Sequence, residues 1–431
     1  MQSRSDQSFN YKAQKIIEDS GNNWENVSVI HSNNYLLSNN RIQNKTSFKK
    51  RLGFKIFDEQ IDPYFFGSFR TKKYFFFIES ENIFNNYQSF SLEHSPLKNM
   101  IMSGFGYYNH WVTIAINKGN QNWGAGNDIS LALNKNGQSF DYFMLASNYG
   151  SLRVNYIHGF LETLNSGINR YINARGVEWT NKKNLIIGLS ESIIYSGINR
   201  SIDFGYLNPI SSHLEVELNN RLNVYGDLHS NAVWQLHCDL FKNKQRFSLN
   251  YLFDEFVIDP DIEVGKEHGR GFSLKYLQSL NFKKPDILNL YISYIAVGTP
   301  TFRHANGSNN FVKNGRAIGW PGGSDSREAK LGFDYLKKEN KILHFSICYY
   351  QLGSENIIYR PYERYEDYMK GTFPSDPFKQ FIILNAKVMM AFRENLYFDF
   401  EFAKNYPMKS YDRSDSKYYT NFQVGLVYSS N

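Results

Sequence analysis

The 431-residue chain contains only two cysteines, Cys238 and Cys348, far apart in sequence. That excludes a disulfide framework and any C-x-x-C metal site, and two unpaired strand cysteines are the simpler expectation over a single bridge. No apolar run reaches about 18 residues, so no transmembrane helix is encoded. The longest candidate, FIILNAKVMMAF at 381–392, is too short and carries Asn385 and Lys387. No G-x-x-x-x-G-K-[ST] occurs. The glycine-rich NQNWGAGNDISLALN at 120–134 has Gly124 and Gly126 but Ile129 where a dinucleotide fingerprint needs its third glycine. Nucleotide binding is excluded, and no nucleic-acid partner is expected. The ten histidines form no H-E-x-x-H; His229, His237 and Asp239 come nearest to a cluster, but on alternating backbone they lie too far apart to share a metal. GLSES at 188–192 lacks the closing glycine of G-x-S-x-G and sits in a strand-like pattern. DEFVIDPDIEV at 254–264 reads as a solvated loop rather than a calcium site. No catalytic residue, cofactor or metal is expected.

What the chain does have is aromatic residues, 17% of the total with 31 Tyr and 35 Phe. Its mean hydropathy is nevertheless −0.50. The two are reconciled if apolar and polar residues alternate, each strand showing lipid one face and water the other. In NLYFDFEFAKN, Leu396, Phe398, Phe400 and Phe402 alternate with Tyr397, Asp399, Glu401 and Ala403. In ILNLYISYIAVG, Leu288, Leu290, Ile292 and Tyr294 oppose Asn289, Tyr291 and Ser293. HLEVELNN at 213–220, KILHFSICYY at 341–350 and NFQVGLVY at 421–428 follow the same rule. A soluble β-sandwich would share this alternation. Mid-strand carboxylates, and strand-and-turn units recurring about every twenty residues without helices between them, favour an up-and-down barrel.

The expected fold is therefore all-β: residues 51–431 form a large antiparallel transmembrane β-barrel of about sixteen to eighteen strands. Residues 1–50, rich in Asn, Ser, Gln and Lys, read as a periplasmic or poorly ordered segment with one short helix over Tyr11–Asp19. MQSRSDQSFNYKAQK contains no apolar leader core, so an outer-membrane location requires a signal removed or left out of this chain. SGINR occurs at 166–170 and again at 196–200, where Gly167 and Gly197 are each expected at positive φ in a turn. The net charge of +7 suits an acidic partner such as an anionic polysaccharide or lipopolysaccharide, though solubility alone also accounts for it.

Carbohydrate is held by aromatic faces beside planar polar groups, and three stretches combine these. WGAGND at 123–128 offers Trp123 and Asp128. AIGWPGGSDSREAKLGFDY at 317–335 offers Trp320, Asp325, Arg327 and Glu328. YRPYERYEDY at 359–368 is the third. Each also reads as part of a barrel's interfacial aromatic girdle. WGAGND is expected as a tight turn with an interfacial or lumen-facing tryptophan, and the 317–335 loop ranks above it for glycan contact.

In order and spacing these landmarks resemble the capsule assembly protein Wzi family. QNWGAGNDISLAL resembles its W-G-P-G-[DN] followed by a strand. RYINARGVEWTNKKNLIIGLSESIIYSG at 170–197 resembles its R-Y hairpin and "IGLSE" strand. DFGYLNPI at 203–210 resembles its "YL-P" segment, and WPGGSDSREAKLGFDY at 320–335 its G-x-D-x-R-E loop. Ala125 replaces the proline, and Ala174–Arg175 stands where a histidine–arginine pair is common. The resemblance implies an outer-membrane barrel of about eighteen strands with its periplasmic side largely occluded, acting as a non-enzymatic, monomeric lectin that retains surface polysaccharide. A passive porin of the same architecture is the alternative. A third reading is an outer-membrane hydrolase, which needs a Ser–His pair on the outer wall or in a loop.

Overall fold

The computed structural model describes residues 47–430 apart from 58–59, 82–99, 110, 127, 213–229, 255–264, 282–285, 338–340, 366–369, 394–395 and 410–418. The helix expected over 11–19 and the strand expected over 213–220 lie outside the described residues. The first nine barrel strands are β1 (Ser47–Phe57), β2 (Gln60–Arg70), β3 (Tyr74–Glu81), β4 (Met100–Tyr108), β5 (Val112–Gly119), β6 (Phe140–Tyr149), β7 (Leu152–Thr163), β8 (Ile168–Thr180) and β9 (Leu185–Ile198). After them come β10 (Ser230–Lys242), β11 (Gln245–Phe253), β12 (Arg270–Asn281) and β13 (Ile287–Val297). A two-stranded hairpin, β14 (Val312–Lys313) and β15 (Arg316–Ala317), forms its own small sheet. The ring then resumes with β16 (Ser326–Lys337), β17 (Lys341–Leu352), β18 (Lys379–Arg393), β19 (Leu396–Lys409) and β20 (Tyr419–Ser430).

Eighteen strands form one sheet, each antiparallel to its neighbour, and β1 closes the ring by pairing with both β2 and β20. Closure leaves no strand edge unpaired, the condition a sheet must meet in lipid. The connections alternate. Tight turns such as 71–73, 150–151, 181–184 and 243–244 join strands at one end, while the longer loops 120–139, 199–229, 298–325 and 353–378 all emerge at the other. Outer-membrane barrels place short turns in the periplasm and long loops outside, which orients this ring.

Alternation decides which face of each strand meets lipid. On β13, Leu290, Ile292 and Tyr294 are exposed outward while Asn289, Tyr291 and Ser293 are buried inward. On β17, Leu343 and Ile347 point out while Ser346 and Cys348 point in, and on β20 Phe422 and Tyr428 lie outside. Ile116 is 68% exposed and Leu331 61%, values that would be a liability on a water-soluble wall. Tyr74, Trp111, Tyr149 and Trp179 are exposed beside the short turns, an aromatic girdle at the level of one membrane interface. Both cysteines are free.

One turn expectation is corrected. Gly167 takes φ 76°, but at the second SGINR the positive φ belongs to Asn199 (φ 50°) and not to Gly197. The second copy is the end of a long strand, β9, and asparagine is among the few non-glycine residues that tolerate the left-handed region there.

Candidate functional site

The hydrophobic core sits inside the ring. Three long loops fold back into the lumen and pack there, so that Ile129, Leu131, Leu133, Phe302, Phe311, Trp320 and Ile357 join the inward wall residues in one buried cluster. These loops are 120–139, 298–325 and 353–378, all from the long-loop end. The occlusion expected from the resemblance at the periplasmic side is therefore built, among the described residues, from the opposite end.

Inward amides of the wall hold the first loop. Gln235 on β10 accepts from the backbone N–H of Leu131 and Ala132 at 3.1 Å and donates to Trp123 O at 2.8 Å. Asn250 on β11 accepts from Ala125 N at 2.7 Å and donates to Ala125 O and Ile129 O. The close approach requires Gly124, at φ 134°, because a Cβ there would stand 2.5 Å from the side chains of both Asn250 and Gln235. The second loop crosses to β8. Arg170, fully buried, donates to the carbonyls of Ser308, Asn310 and Val312 and pairs with Glu162. The third spans the lumen's full width. Tyr362, between β17 and β18, donates to Glu162 on the diametrically opposite β7 at 2.9 Å and accepts from Gly315 N. Burial, with the Glu162 carboxylate beside it, pushes the Tyr362 hydroxyl up to about 12, so it stays a donor at any physiological pH.

Four of the six residues singled out for glycan contact lie within this framework. Trp123 bridges to Leu133, and its Nε1 donates to Gln121 at 2.9 Å. Trp320 was expected to offer a stacking face. It is 0% exposed, packed edge-on against Tyr350, and its backbone N–H donates to Leu131 O at 2.9 Å. The two sequence landmarks thus dock on each other, at a distance that Gly319 permits: a Cβ there would collide with the Leu131 carbonyl. Asp325 (φ 48°) ties three chain segments together, accepting from Thr299 Oγ1 and Ser375 N at 2.9 Å, from Glu355 N at 3.1 Å and from Ser375 Oγ. Asp128 pairs with Lys275 Nζ at 2.6 Å and lies 3.9 Å from Lys330, which also pairs with Glu328 at 2.8 Å. Burial alone would raise the Asp128 carboxyl; the ammonium groups of Lys275, Lys330 and Lys135 together outweigh it and hold the carboxyl well below the usual range. Arg327, next to inward Glu328, lies on the outward face, where it donates to Gln351. These side chains build the plug and wall and do not converge on an open sugar platform.

The surface with that chemistry is the third stretch. Tyr359, Tyr362 and Tyr365 are half-buried, spaced every three residues, with Arg360, Glu363 and Arg364 exposed between them. Cations order the rings: Lys379 stands 5.1 Å from Tyr359, Arg170 5.3 Å from Tyr362 and Arg303 4.1 Å from Tyr365. Asn310 zips this loop to the second one through Pro361 O and Glu363 O, and exposed Asn314 extends the surface.

A small hollow lies beneath the first loop near the short-turn end. Asn122, Trp123, Asn155, Glu178, Ser190 and His237 line it. His237 Nε2 is 2.9 Å from Glu178, which also meets Arg153 at 3.6 Å, whereas Asp239 is taken by Arg246 at 3.0 Å. His237 and Asp239 therefore have separate partners; His229 lies outside the described residues. Among the described residues no metal-binding group of His, Cys, Asp and Glu occurs.

No protein-family model and no curated protein sequence matches the chain. Solved structures do. Wzi of Escherichia coli, described as an outer-membrane protein involved in group 1 capsule assembly and a carbohydrate-binding β-barrel, aligns with TM-score 0.61 at 10% identity, over 91% of this chain and 87% of its own. OprD of Pseudomonas aeruginosa aligns at 0.49 and 10% identity over 90% and 97%, and the outer-membrane protein OpdK of the same organism at 0.44 and 10% over 89% and 98%. The chain has the closed eighteen-stranded fold of a bacterial outer-membrane barrel, similar to that of Wzi.

Proposed function

We propose that this barrel is a non-enzymatic outer-membrane lectin that retains capsular or other exported polysaccharide at the cell surface. One observation carries the reading: the plug that crosses the lumen from wall to opposite wall ends, on the long-loop side, in the Tyr359–Tyr365 surface. A conduit needs a wet, polar lumen. Here the middle of the lumen is a packed apolar cluster. A ligand arriving from outside meets half-exposed tyrosine rings flanked by guanidinium and carboxylate groups, the set that grips a sugar's C–H face and its hydroxyls. Similarity to a carbohydrate-binding barrel supports the same reading by analogy.

The test combines planar-bilayer conductance of the refolded protein with retention of purified capsule polysaccharide. The expected result is no steady conductance and measurable retention, weakened about ten-fold by Arg360→Ala through the loss of charged hydrogen bonds. A steady open conductance indifferent to polysaccharide would leave a porin.

A further inference from the structure

Outward residues of the landmarks over 170–210 converge on the outside of the barrel. On β7 to β10 the outward residues change character with height. Near the short turns Trp179, Leu189 and Leu236 are exposed. Higher on the same faces Tyr156, His158, Tyr171, Asn173, Glu191, Ile193 and Tyr195 are all buried, although none points into the lumen. What buries them is the segment 199–210, which leaves the top of β9, folds down over the outer wall and makes one helical turn at Phe204–Leu207, capped by Asp203. Tyr206 stacks on Tyr195 at 4.6 Å, and Tyr195 on Tyr171 at 5.1 Å, a second apolar cluster separate from the one in the lumen. Polar contacts clamp the segment. Tyr156 Oη and Asn173 Nδ2 donate to Tyr206 O, Arg175 donates to Asn208 O and pairs with Glu191 at 3.2 Å, and Tyr195 Oη accepts from Asp203 N.

The height of this clasp matters. Arg175 stands roughly 16 Å along β8 from Thr180, about 12 Å in elevation at a typical strand tilt, which is halfway up an apolar band about 25 Å tall. An outward Arg at that depth is strongly disfavoured against lipid. The clasp removes that contact by covering Arg175 and Glu191. Its own outer edge is apolar: Phe204 is 84% exposed and Ile210 87%, with Ile202 also exposed. That edge continues the lipid-facing belt formed lower on the same strands by Val177, Leu189 and Leu236.

We propose that segment 199–210 is a membrane anchor laid on the outside of the barrel, with Phe204 and Ile210 immersed among the acyl chains of the outer leaflet. It descends from the rim towards mid-bilayer, and the R-Y, GLSE and YLNP landmarks are the wall and latch that hold it there. The anchor is independent of polysaccharide binding, because it shares no side chain with the Tyr359–Tyr365 surface.

Spin labels test it in the otherwise native barrel, refolded into phospholipid vesicles with the half-buried outward Cys238 replaced by alanine. Labels go on Phe204→Cys and Ile210→Cys, with Leu189→Cys as the lipid reference and Lys182→Cys as the water reference. Because 204 and 210 project outward, their replacement leaves the packed side of the clasp intact. The expected result is collisional accessibility to oxygen over a polar nickel complex like that of Leu189 and about ten-fold above that of Lys182, since the hydrocarbon excludes the polar quencher. Labels at 204 and 210 that match Lys182 would place the clasp in water and overturn the proposal. Labels shielded from both reagents would overturn it in favour of packing against this chain or a second copy of it.

Discussion

At the scale of single residues, Asp128 shows how a side chain that reads as a sugar ligand becomes a fastener. Its carboxylate joins the first loop to β12 and β16 through Lys275 and Lys330. Asp128→Asn should cost about 2–3 kcal/mol of loop docking, the value of a charged hydrogen bond. Hydrogen exchange of the backbone amides of 129–133 should accelerate roughly 30- to 100-fold, with barrel strands unaffected. The sign of the pH effect follows from the same pair. A carboxyl held below its ordinary range contributes stability that is fully present above the unfolded value and is lost as pH falls towards the folded one. Docking should be flat from pH 8 to 5, after correction for intrinsic exchange, and weaken only below about pH 4. An Asn variant that exchanges like the parent would remove Asp128 from the latch.

At the scale of elements, the strands were legible and the plug was not, for a physical reason. A strand's faces are set by neighbours two positions away, so Leu290–Ile292–Tyr294 and Phe398–Phe400–Phe402 announce themselves locally. The plug depends on partners a hundred or more residues distant. Gln235 in VWQLHCDL and Asn250 in FSLNYLF are local hints: amides at inward positions of apolar strands, uninterpretable until the N–H groups of Ala125 and Leu131 are known to reach them. Trp320 drew attention for its ring and its charged neighbours, yet sequence carries no mark of the Leu131 carbonyl that holds it inside. Arg170 makes the sharpest case, since it was visible only as half of an R-Y landmark. Arg170→Ala strips the second loop of three carbonyl contacts and leaves Glu162 partly buried without its guanidinium, a loss of about 3–5 kcal/mol. Limited proteolysis should cut between 305 and 317 in the variant and not in the parent. The double variant with Glu162→Ala should recover part of the protection, because the uncompensated carboxylate is gone; equal cleavage in single and double variants would locate the cost in the carbonyl contacts alone.

At the scale of the whole molecule, the ring and its filling are separable in hydrogen bonding but not in burial. Every barrel strand is paired on both sides without help from the loops. The lumen wall under the plug is nevertheless apolar, with Ile157, Ile172, Val233, Leu252, Ile295 and Val297 all fully buried there. Leaving these six wet forfeits roughly 1.5–3 kcal/mol each in the upper-bound reckoning of side-chain burial. Two accounts of barrel integrity make opposite demands on a variant in which residues 121–133, 301–322 and 355–376 are replaced by short Gly-Ser linkers. If barrel integrity comes from strand pairing and lipid contact, the variant still migrates as a heat-modifiable band in SDS gels, at a lower transition temperature than the parent. It then gains a steady conductance in planar bilayers that is not expected of the parent. If the plug is instead the core on which the ring closes, the variant never gives the compact band at all. We expect the first outcome, because a ring already closed by eighteen antiparallel pairings has its backbone satisfied before any loop turns inward. A wet apolar wall would still mark such a pore as an emptied plug site, since a lumen shaped to conduct carries polar side chains at those inward positions.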